Sequence, residues 1–279
     1  MGDMKLTEKF QYPIHILNGR LWIFARILAA IYFCGFINYK ITNGIVEQVF
    51  KNSFFEDAAQ SSIHTLLSFF AILLLFPLKL KEELFRYEKN TFRFGILIAV
   101  GFPLCIFLPN IILNVYFGAN FSLFTPSIEN IISLTFLSLA ASIEEEVVCR
   151  FVLFERLSKV LGVSISFCIQ LFFFVALHAT GHGVSREKFI LLFIASFLLV
   201  ALYKRTRSLF IVILMHFSYD FFLTLIFGGF LMKTHFVGFV GIALLGEKYS
   251  NYIKISMAIV LIGYLLISNK RENVVKTAN

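Results

Sequence analysis

Long apolar runs alternate with short polar segments along the whole chain. A helix needs about 20 apolar residues to cross a bilayer, so eight of these runs qualify as membrane spans. The predicted spans cover residues 21–38, 61–78, 92–117, 128–154, 161–178, 189–203, 209–227 and 253–268. Residues 236–245 are apolar but too short to span, which favours an interfacial or re-entrant segment. Pro103 and Pro109 predict a kink in the third span. The pattern predicts an all-α polytopic membrane protein with about eight transmembrane helices.

The composition agrees with this fold class. The chain is 58% hydrophobic and 15% charged, and its mean hydropathy is +0.82, whereas a soluble domain carries about 25% charged residues. The net charge of +8 does not indicate a nucleic-acid partner, because the basic residues fall in short loops between apolar runs. They concentrate on the side of the N-terminus, which predicts a multi-pass protein of the cell membrane with both termini in the cytoplasm. The heavy use of Phe, Ile, Lys and Asn favours a prokaryotic source.

The cysteines indicate neither disulfides nor a thiolate metal site. Cys34, Cys105, Cys149 and Cys168 all lie in predicted spans, and no CxxC pattern occurs. The remaining candidates for chemistry in this chain are its carboxylates and histidines.

The fourth span contains the most unusual polar stretch of the chain, with Glu144, Glu145, Glu146 and Arg150 inside an apolar run. Each such group costs about 2.5–3.5 kcal/mol at the centre of a membrane helix. These groups are stable there only if they pair with one another or face a wet cavity, so they indicate a functional site. The alternative is that they mark a helix end at a membrane surface.

Helical geometry separates the three glutamates. Glu146 and Arg150 are four residues apart with the acid on the N-terminal side, which predicts an ion pair. Glu145 is rotated by about 100° from Glu146 and is left to face a cavity. Glu144 is rotated by about a further 100° and has no evident partner in the sequence.

Two more polar positions lie within other spans. His178 ends the fifth span, and the seventh span contains His216 and Asp220, which share one helix face at a spacing of four. A carboxylate beside an imidazole can fix the tautomer of the ring. Because every one of these groups would be costly in an apolar environment, the pattern predicts that three helices bring them together with Glu145 in an enclosed hydrolytic site.

Three motifs contain these residues: Glu145-Glu146-x-x-x-Arg150, Phe174-x-x-x-His178 and His216-x-x-x-Asp220. In this order they resemble the motifs of the CPBP family of intramembrane proteases, which includes the type II CAAX prenyl endopeptidases and the bacterial Abi proteins. The stretch 204–209 also resembles the basic segment that precedes the last motif. Asp220 stands where the prenyl endopeptidases have Asn.

The resemblance divides the chain into three parts. Residues 128–227 correspond to a central four-helix catalytic core. Residues 1–120 would be N-terminal transmembrane helices of unassigned role, and residues 228–279 a C-terminal loop and the last helix.

The resemblance also implies an activity, the hydrolysis of a peptide bond of a peptide or protein substrate in or next to the lipid bilayer. Glu145 would be the general base that activates a water, assisted by His178. His216 and Asp220 would stabilise the oxyanion. The supporting residues would be Glu146, Arg150 and Phe174, and no cofactor or metal would be needed.

Three other functions also fit these residue types. Glu145, His178 and His216 have the ligand types of a catalytic zinc site, although the HExxH pattern is missing. A non-enzymatic immunity or scaffold protein that binds a peptide partner would use the polar residues for packing. An ion-coupled transporter would also need intramembrane Glu and His, but it would more often have inverted repeats, and none is visible in the sequence.

The predicted depths of the site residues in the membrane do not agree with one another. At 1.5 Å per residue, His216 lies about 13 Å and Glu145 about 16 Å from the cytoplasmic side, but His178 lies about 28 Å away. Either the fifth span is strongly tilted, or it starts later and residues 161–166 form a loop inside the cavity.

Overall fold

The computed structural model describes residues 11–34, 38–49, 56–76, 89–116, 121–123, 125–179, 186–227, 229–231, 234–236, 240–242 and 254–265. The helices are α1 (Gln11–Tyr32), α2 (Asn38–Val49), α3 (Glu56–Leu75), α4 (Lys89–Tyr116), α5 (Ile128–Glu146), a π-helix (Val147–Arg156), α6 (Ser158–Leu161), α7 (Val163–Ala179), α8 (Arg186–Thr206), α9 (Leu209–Phe227) and α10 (Lys254–Leu265). The strands are β1 (Phe121–Leu123), β2 (Gly229–Leu231), β3 (Thr234–Phe236) and β4 (Val240–Ile242). The predicted all-α class is confirmed.

The strands are a small addition that the apolar pattern did not predict. β1 pairs antiparallel with β4, and β2 pairs antiparallel with β3. β4 lies within the short apolar stretch 236–245, so this part of the stretch is extended. Residues 237–239 and 243–245 lie outside the described residues.

The long apolar helices agree with the prediction of a membrane protein. Within the described residues, α3, α4, α8 and α9 are long and apolar enough to cross a membrane, and α7 and α10 are shorter apolar helices. The count of eight spans stays a prediction. α4 continues through Pro103 and Pro109. α2 was not predicted, because its apolar residues alternate with polar ones instead of forming a continuous run.

The site helices are held by a core that surrounds α9. This helix packs against α4 and α5, while α3 packs against α5 and α7 packs against the π-helix. The approach of α4 to α9 is close at Gly95, where a Cβ atom would overlap the side chain of Ile211. A larger residue at this position would require the Ile211 side chain to move.

The fourth predicted span is one continuous helical segment with a change in geometry. It is α-helical up to Glu146 and then a π-helix of 10 residues. Bonding from residue i to i+5 is rare over such a length and is frequent at functional sites. The π-helix lies in the core, where the ring of Phe151 meets that of Phe76 edge to face with centroids 5.7 Å apart.

One of the two explanations for the depth of His178 is wrong. Residues 161–166 do not form a loop, because Leu161 ends α6 and α7 is helical from Val163 onward. Only Gly162 lies between them, with a φ of 83° that favours glycine.

Candidate active site

The end of α5 places three consecutive carboxylates on different sides of one helix. Glu145 and Glu146 face the histidines of α7 and α9. Glu144 instead faces α3. The three side chains point to different sides because consecutive residues of an α-helix are rotated by about 100°, as the sequence predicts.

Glu146 is the centre of a fully buried charge network. Its Oε2 lies 2.9 Å from Nε of Arg150, and both side chains are 0% exposed, so the predicted ion pair is present. Its Oε1 lies 2.8 Å from Nδ1 of His216, a contact that the sequence did not reveal because the two residues are 70 positions apart. Burying a carboxylate is tolerable when it is paired and hydrogen-bonded in this way.

Arg150 is positioned by two neighbouring helices. Its Nη2 donates to Oγ of Ser196 at 3.5 Å, and Ser196 donates to Oε1 of Gln170 at 3.3 Å. Its guanidinium carbon lies 4.8 Å from the ring centroid of Phe174, a cation–π contact. Phe174, which was predicted as a supporting residue, thus packs directly on the buried cation.

His178 has its ring orientation fixed by its own helix. Its Nδ1 donates to the carbonyl oxygen of Phe174 at 2.8 Å, since a carbonyl can only accept. The other nitrogen, Nε2, points to Oε2 of Glu145 at 3.6 Å. His178 therefore lies next to Glu145, although the sequence predicted different depths in the membrane for the two residues.

Glu145 lies between the two imidazoles without a close bond to either. Its Oε2 is 3.6 Å from Nε2 of His178 and 3.9 Å from Nε2 of His216, and 22% of the side chain is exposed. Both distances exceed those of a hydrogen bond. Within the described part of the chain, this oxygen has no hydrogen-bonding partner.

Asp220 completes the group from one turn along α9. Its Oδ2 lies 3.4 Å from Nε2 of His216, as the spacing of four predicts. His216 is thus approached by carboxylates on both ring nitrogens, with Glu146 at Nδ1 and Asp220 and Glu145 at Nε2.

A cavity of about 180 Å³ opens beside these groups. One wall is polar and contains His178, His216 and Asp220, and Lys254 of α10 also lines the space. The remaining wall is largely apolar: Phe102, Ile106, Phe174, Leu191, Leu192, Ala195, Leu198, Leu199, Met215, Tyr219 and Ala258. Such a cavity, mostly apolar with a few convergent polar groups, is the usual form of a substrate site.

The residues of the zinc alternative lie slightly farther apart than the ligands of a bound zinc ion. Zinc ligands at about 2.0–2.2 Å in a tetrahedron are about 3.4 Å apart, whereas Oε2 of Glu145 is 3.6 and 3.9 Å from the two histidine nitrogens. Among the residues that the structure describes, no group of three or more His, Cys, Asp or Glu side chains has the arrangement of a metal site.

Glu144, which has no evident partner in the sequence, has two polar contacts with α3, and one of these α3 residues also contacts the chain just after α1. Nδ1 of His64 lies 2.8 Å from its carboxylate, and Oγ of Ser68 donates to it at 3.2 Å. The other nitrogen of His64 donates to the carbonyl of Cys34 at 3.1 Å. A signal was present in the sequence: Ser61, His64, Thr65 and Ser68 have the spacing of one helix face.

The structure thus describes an all-α membrane protein with a polar site enclosed among apolar helices, and it brings together all the site residues that the sequence indicated. Residues 126–222 match the family model described as type II CAAX prenyl endopeptidase Rce1-like. This match confirms that the segment with the three motifs is related to the CPBP/CAAX protease family. No curated protein and no solved structure gives a significant match. The family is one of membrane proteases, which supports hydrolase activity and a peptide substrate in general terms.

Proposed function

We propose that this chain is an intramembrane endopeptidase in which Glu145 activates a water for attack on a peptide carbonyl. The observation that carries the proposal is the position of Glu145, a partly exposed carboxylate between His178 and His216, both of which line the cavity. Its neighbours Glu144 and Glu146 both have partners at 2.8 Å, so Glu145 is the carboxylate whose oxygen is available for chemistry.

The distances around Glu145 suit a bridging water. Gaps of 3.6 and 3.9 Å to the two imidazoles are too long for direct hydrogen bonds, and a contact of this length is often mediated by water. In the proposed reaction, Glu145 takes a proton from the water while the water oxygen bonds to the carbonyl carbon. The proton then passes to the leaving amide nitrogen as the C–N bond breaks, which gives a carboxylic acid and an amine.

His178 assists the base from the side. Because its Nδ1 donates to the carbonyl of Phe174, its Nε2 is directed at Glu145, where it can share the proton that the carboxylate takes up. The same bond keeps the ring from turning away, which lowers the cost of positioning it for each reaction cycle.

His216 and Asp220 are proposed to stabilise the oxyanion. In its doubly protonated form, His216 donates from Nδ1 to Glu146 and presents its Nε2 hydrogen to the polar wall of the cavity. Asp220, with Oδ2 at 3.4 Å from Nε2, would fix the orientation of the imidazole ring, and the Nε2 hydrogen would then stabilise the negative charge that develops on the substrate oxygen.

Glu146 and Arg150 are proposed to be structural. Both are 0% exposed and have no free surface with which to meet a substrate. Glu146 would hold the ring of His216 through their hydrogen bond, and Arg150 would hold the ring of Phe174 through the cation–π contact.

The proposed setting is the lipid bilayer of a prokaryotic cell, with a peptide or protein substrate that reaches the cavity from the membrane. Both chain termini are proposed to lie in the cytoplasm, in line with the distribution of Lys and Arg in the loops.

A comparison of cells that express the wild type or the Glu145→Gln variant tests this function. We expect the variant to co-purify with an uncleaved membrane protein. The new N-termini that cleavage creates in membranes with the wild type should be absent from membranes with the variant. The matched control is Glu155→Gln, a carboxylate that pairs with Lys159 and Arg207 rather than with site residues; it should cleave normally. If membranes with the Glu145→Gln variant contain the same new N-termini as membranes with the wild type, the result would favour a scaffold protein instead.

A further inference from the structure

The contacts of Glu144 with α3 form a second polar cluster on the opposite side of α5 from the cavity. We define this cluster as His64, Thr65, Ser68 and Glu144. Its polar groups face one another rather than the cavity, and none of its members lines the cavity. The contacts of this cluster are with other helices, which points to a mechanical role.

The cluster joins α3 to α5 at two levels. Oγ1 of Thr65 donates to the carbonyl of Ala140 at 3.0 Å. One turn further along α5, the carboxylate of Glu144 contacts His64 and Ser68. Because Ala140 and Glu144 are four residues apart, the two levels lie on the same face of α5. Two bonded levels on one face resist both rotation and sliding of the helix.

The cluster is also anchored beyond α3. Both ring nitrogens of His64 face acceptors, the carboxylate of Glu144 on one side and the carbonyl of Cys34 on the other. The imidazole therefore links α5 to the end of α1 as well, and it cannot turn without losing one of the two contacts.

The positions of the site carboxylates are sensitive to rotation of α5 about its own axis. Side-chain ends lie about 5–6 Å from a helix axis, so a rotation of about 10° moves a carboxylate by about 1 Å. A misplacement of 1 Å can lower a catalytic rate by about 10²-fold. The direction of Glu144 fixes that of Glu145 and Glu146, because the three are consecutive residues of the same helix.

We propose that His64 is a positioning residue, which sets the rotation of α5 through Glu144 and so aims Glu145 and Glu146 at the histidines of the site. This inference rests on the proposed function for its catalytic meaning, but the geometry can be tested without hydrolysis. It gives the N-terminal helices, which lie outside the segment matched by the protease family, a defined task.

The test is nuclear magnetic resonance of the full chain labelled with ¹⁵N-histidine, in lipid nanodiscs. The ring signals of His178 and His216 are assigned by replacing each with Gln. We expect His64→Gln and Glu144→Gln to shift the ring signals of both site histidines, although neither substituted residue contacts them. The matched control is Asn43→Ala, which removes the bond from Gln60 of α3 to α2 and leaves the contacts to α5 intact; it should shift neither signal.

Activity gives a second readout on the membrane protein captured by Glu145→Gln. We expect His64→Gln to lower kcat by about tenfold with KM unchanged, and Glu144→Gln to be less harmful than Glu144→Ala, because the amide oxygen still accepts from His64. If His64→Gln does not fold, the milder double variant Thr65→Val with Ser68→Ala decides through the same signals. Unchanged signals of His178 and His216 in the folded variants would overturn the proposal, whether or not the chain hydrolyses peptides.

Discussion

The two sides of α5 contain the same chemical pair in different settings. On the α3 side, Glu144 meets His64 at 2.8 Å, and on the cavity side, Glu146 meets His216 at 2.8 Å. Both pairs are ionisable groups in apolar helices, so neither is a sign of catalysis by itself. What distinguishes the cavity side is the additional carboxylate of Glu145, which touches both histidines only at 3.6 and 3.9 Å.

The two pairs also differ in burial. Glu146 and His216 are 0% and 9% exposed, whereas Glu144 and His64 are about one-fifth exposed, at 20% and 19%. The penalty for leaving a charge without a partner increases with burial. The cavity side therefore depends more strongly on its partners for stability, whereas Oε2 of Glu145 has no hydrogen-bonding partner among the described residues.

The largest expected effect comes from breaking the fully buried pair. Arg150→Ala leaves Glu146 with His216 alone and removes the cation packed on Phe174, so the free energy of unfolding should fall by about 3–5 kcal/mol. Thermal unfolding in detergent measures this. The control Lys159→Ala removes a partly exposed cation that pairs with Glu155 at 3.6 Å and should cost about 0–1 kcal/mol. An Arg150→Ala protein that unfolds at the wild-type temperature would show that the pair does not stabilise the fold.

The two histidines should separate activity from stability. His178→Ala should lower kcat by about 10²-fold with little change in the unfolding temperature, because His178 is part exposed and its 2.8 Å hydrogen bond is to its own helix. His216→Ala should lower kcat by a similar factor and also destabilise the protein, because Glu146 loses a buried partner. Kinetics and thermal unfolding of both variants check this. Equal destabilisation by the two substitutions would contradict the difference in their surroundings.

The smallest expected effect is that of Asp220→Asn. The amide keeps an oxygen that can face Nε2 of His216, so kcat should stay within about tenfold of the wild type. Asp220→Ala removes the orienting group and should cost about 10²-fold, similar to the loss of one oxyanion donor. Steady-state kinetics of the two variants make the comparison, and an Asn variant as impaired as the Ala variant would mean that the charge itself is required.

Much of the site was predictable because its key pairs are local. The contacts of Glu146 with Arg150 and of His216 with Asp220 follow from a spacing of four on a helix. The convergence of three helices followed from the cost of polar groups in a membrane. Both features follow from helical geometry and from the apolar environment of the membrane, which can be inferred from the sequence.

The long-range contacts could not be predicted in the same way. Glu146 and His216 are 70 residues apart, and His64 and Glu144 are 80 apart, so their pairing depends on how the helices pack. The depth of His178 was counted from Lys159 as if one straight helix followed, whereas Lys159 lies in the short helix α6 and the turn at Gly162 comes before α7. The depth of Glu145 was counted with α-helical rise through residues that form the π-helix. Neither the π-helix nor the strand pairs leave a clear signal in the apolar pattern.

The most direct measurement is the single-turnover hydrolysis of the captured membrane protein by metal-stripped wild type and by metal-stripped Glu145→Gln. If Glu145 is the base that activates water, the stripped wild type should retain its full rate without bound zinc. The Glu145→Gln variant should be slower by about 10³-fold. A stripped wild type that is inactive and regains its rate with one zinc per chain, or a Glu145→Gln variant within tenfold of the wild type, would contradict the assignment of Glu145.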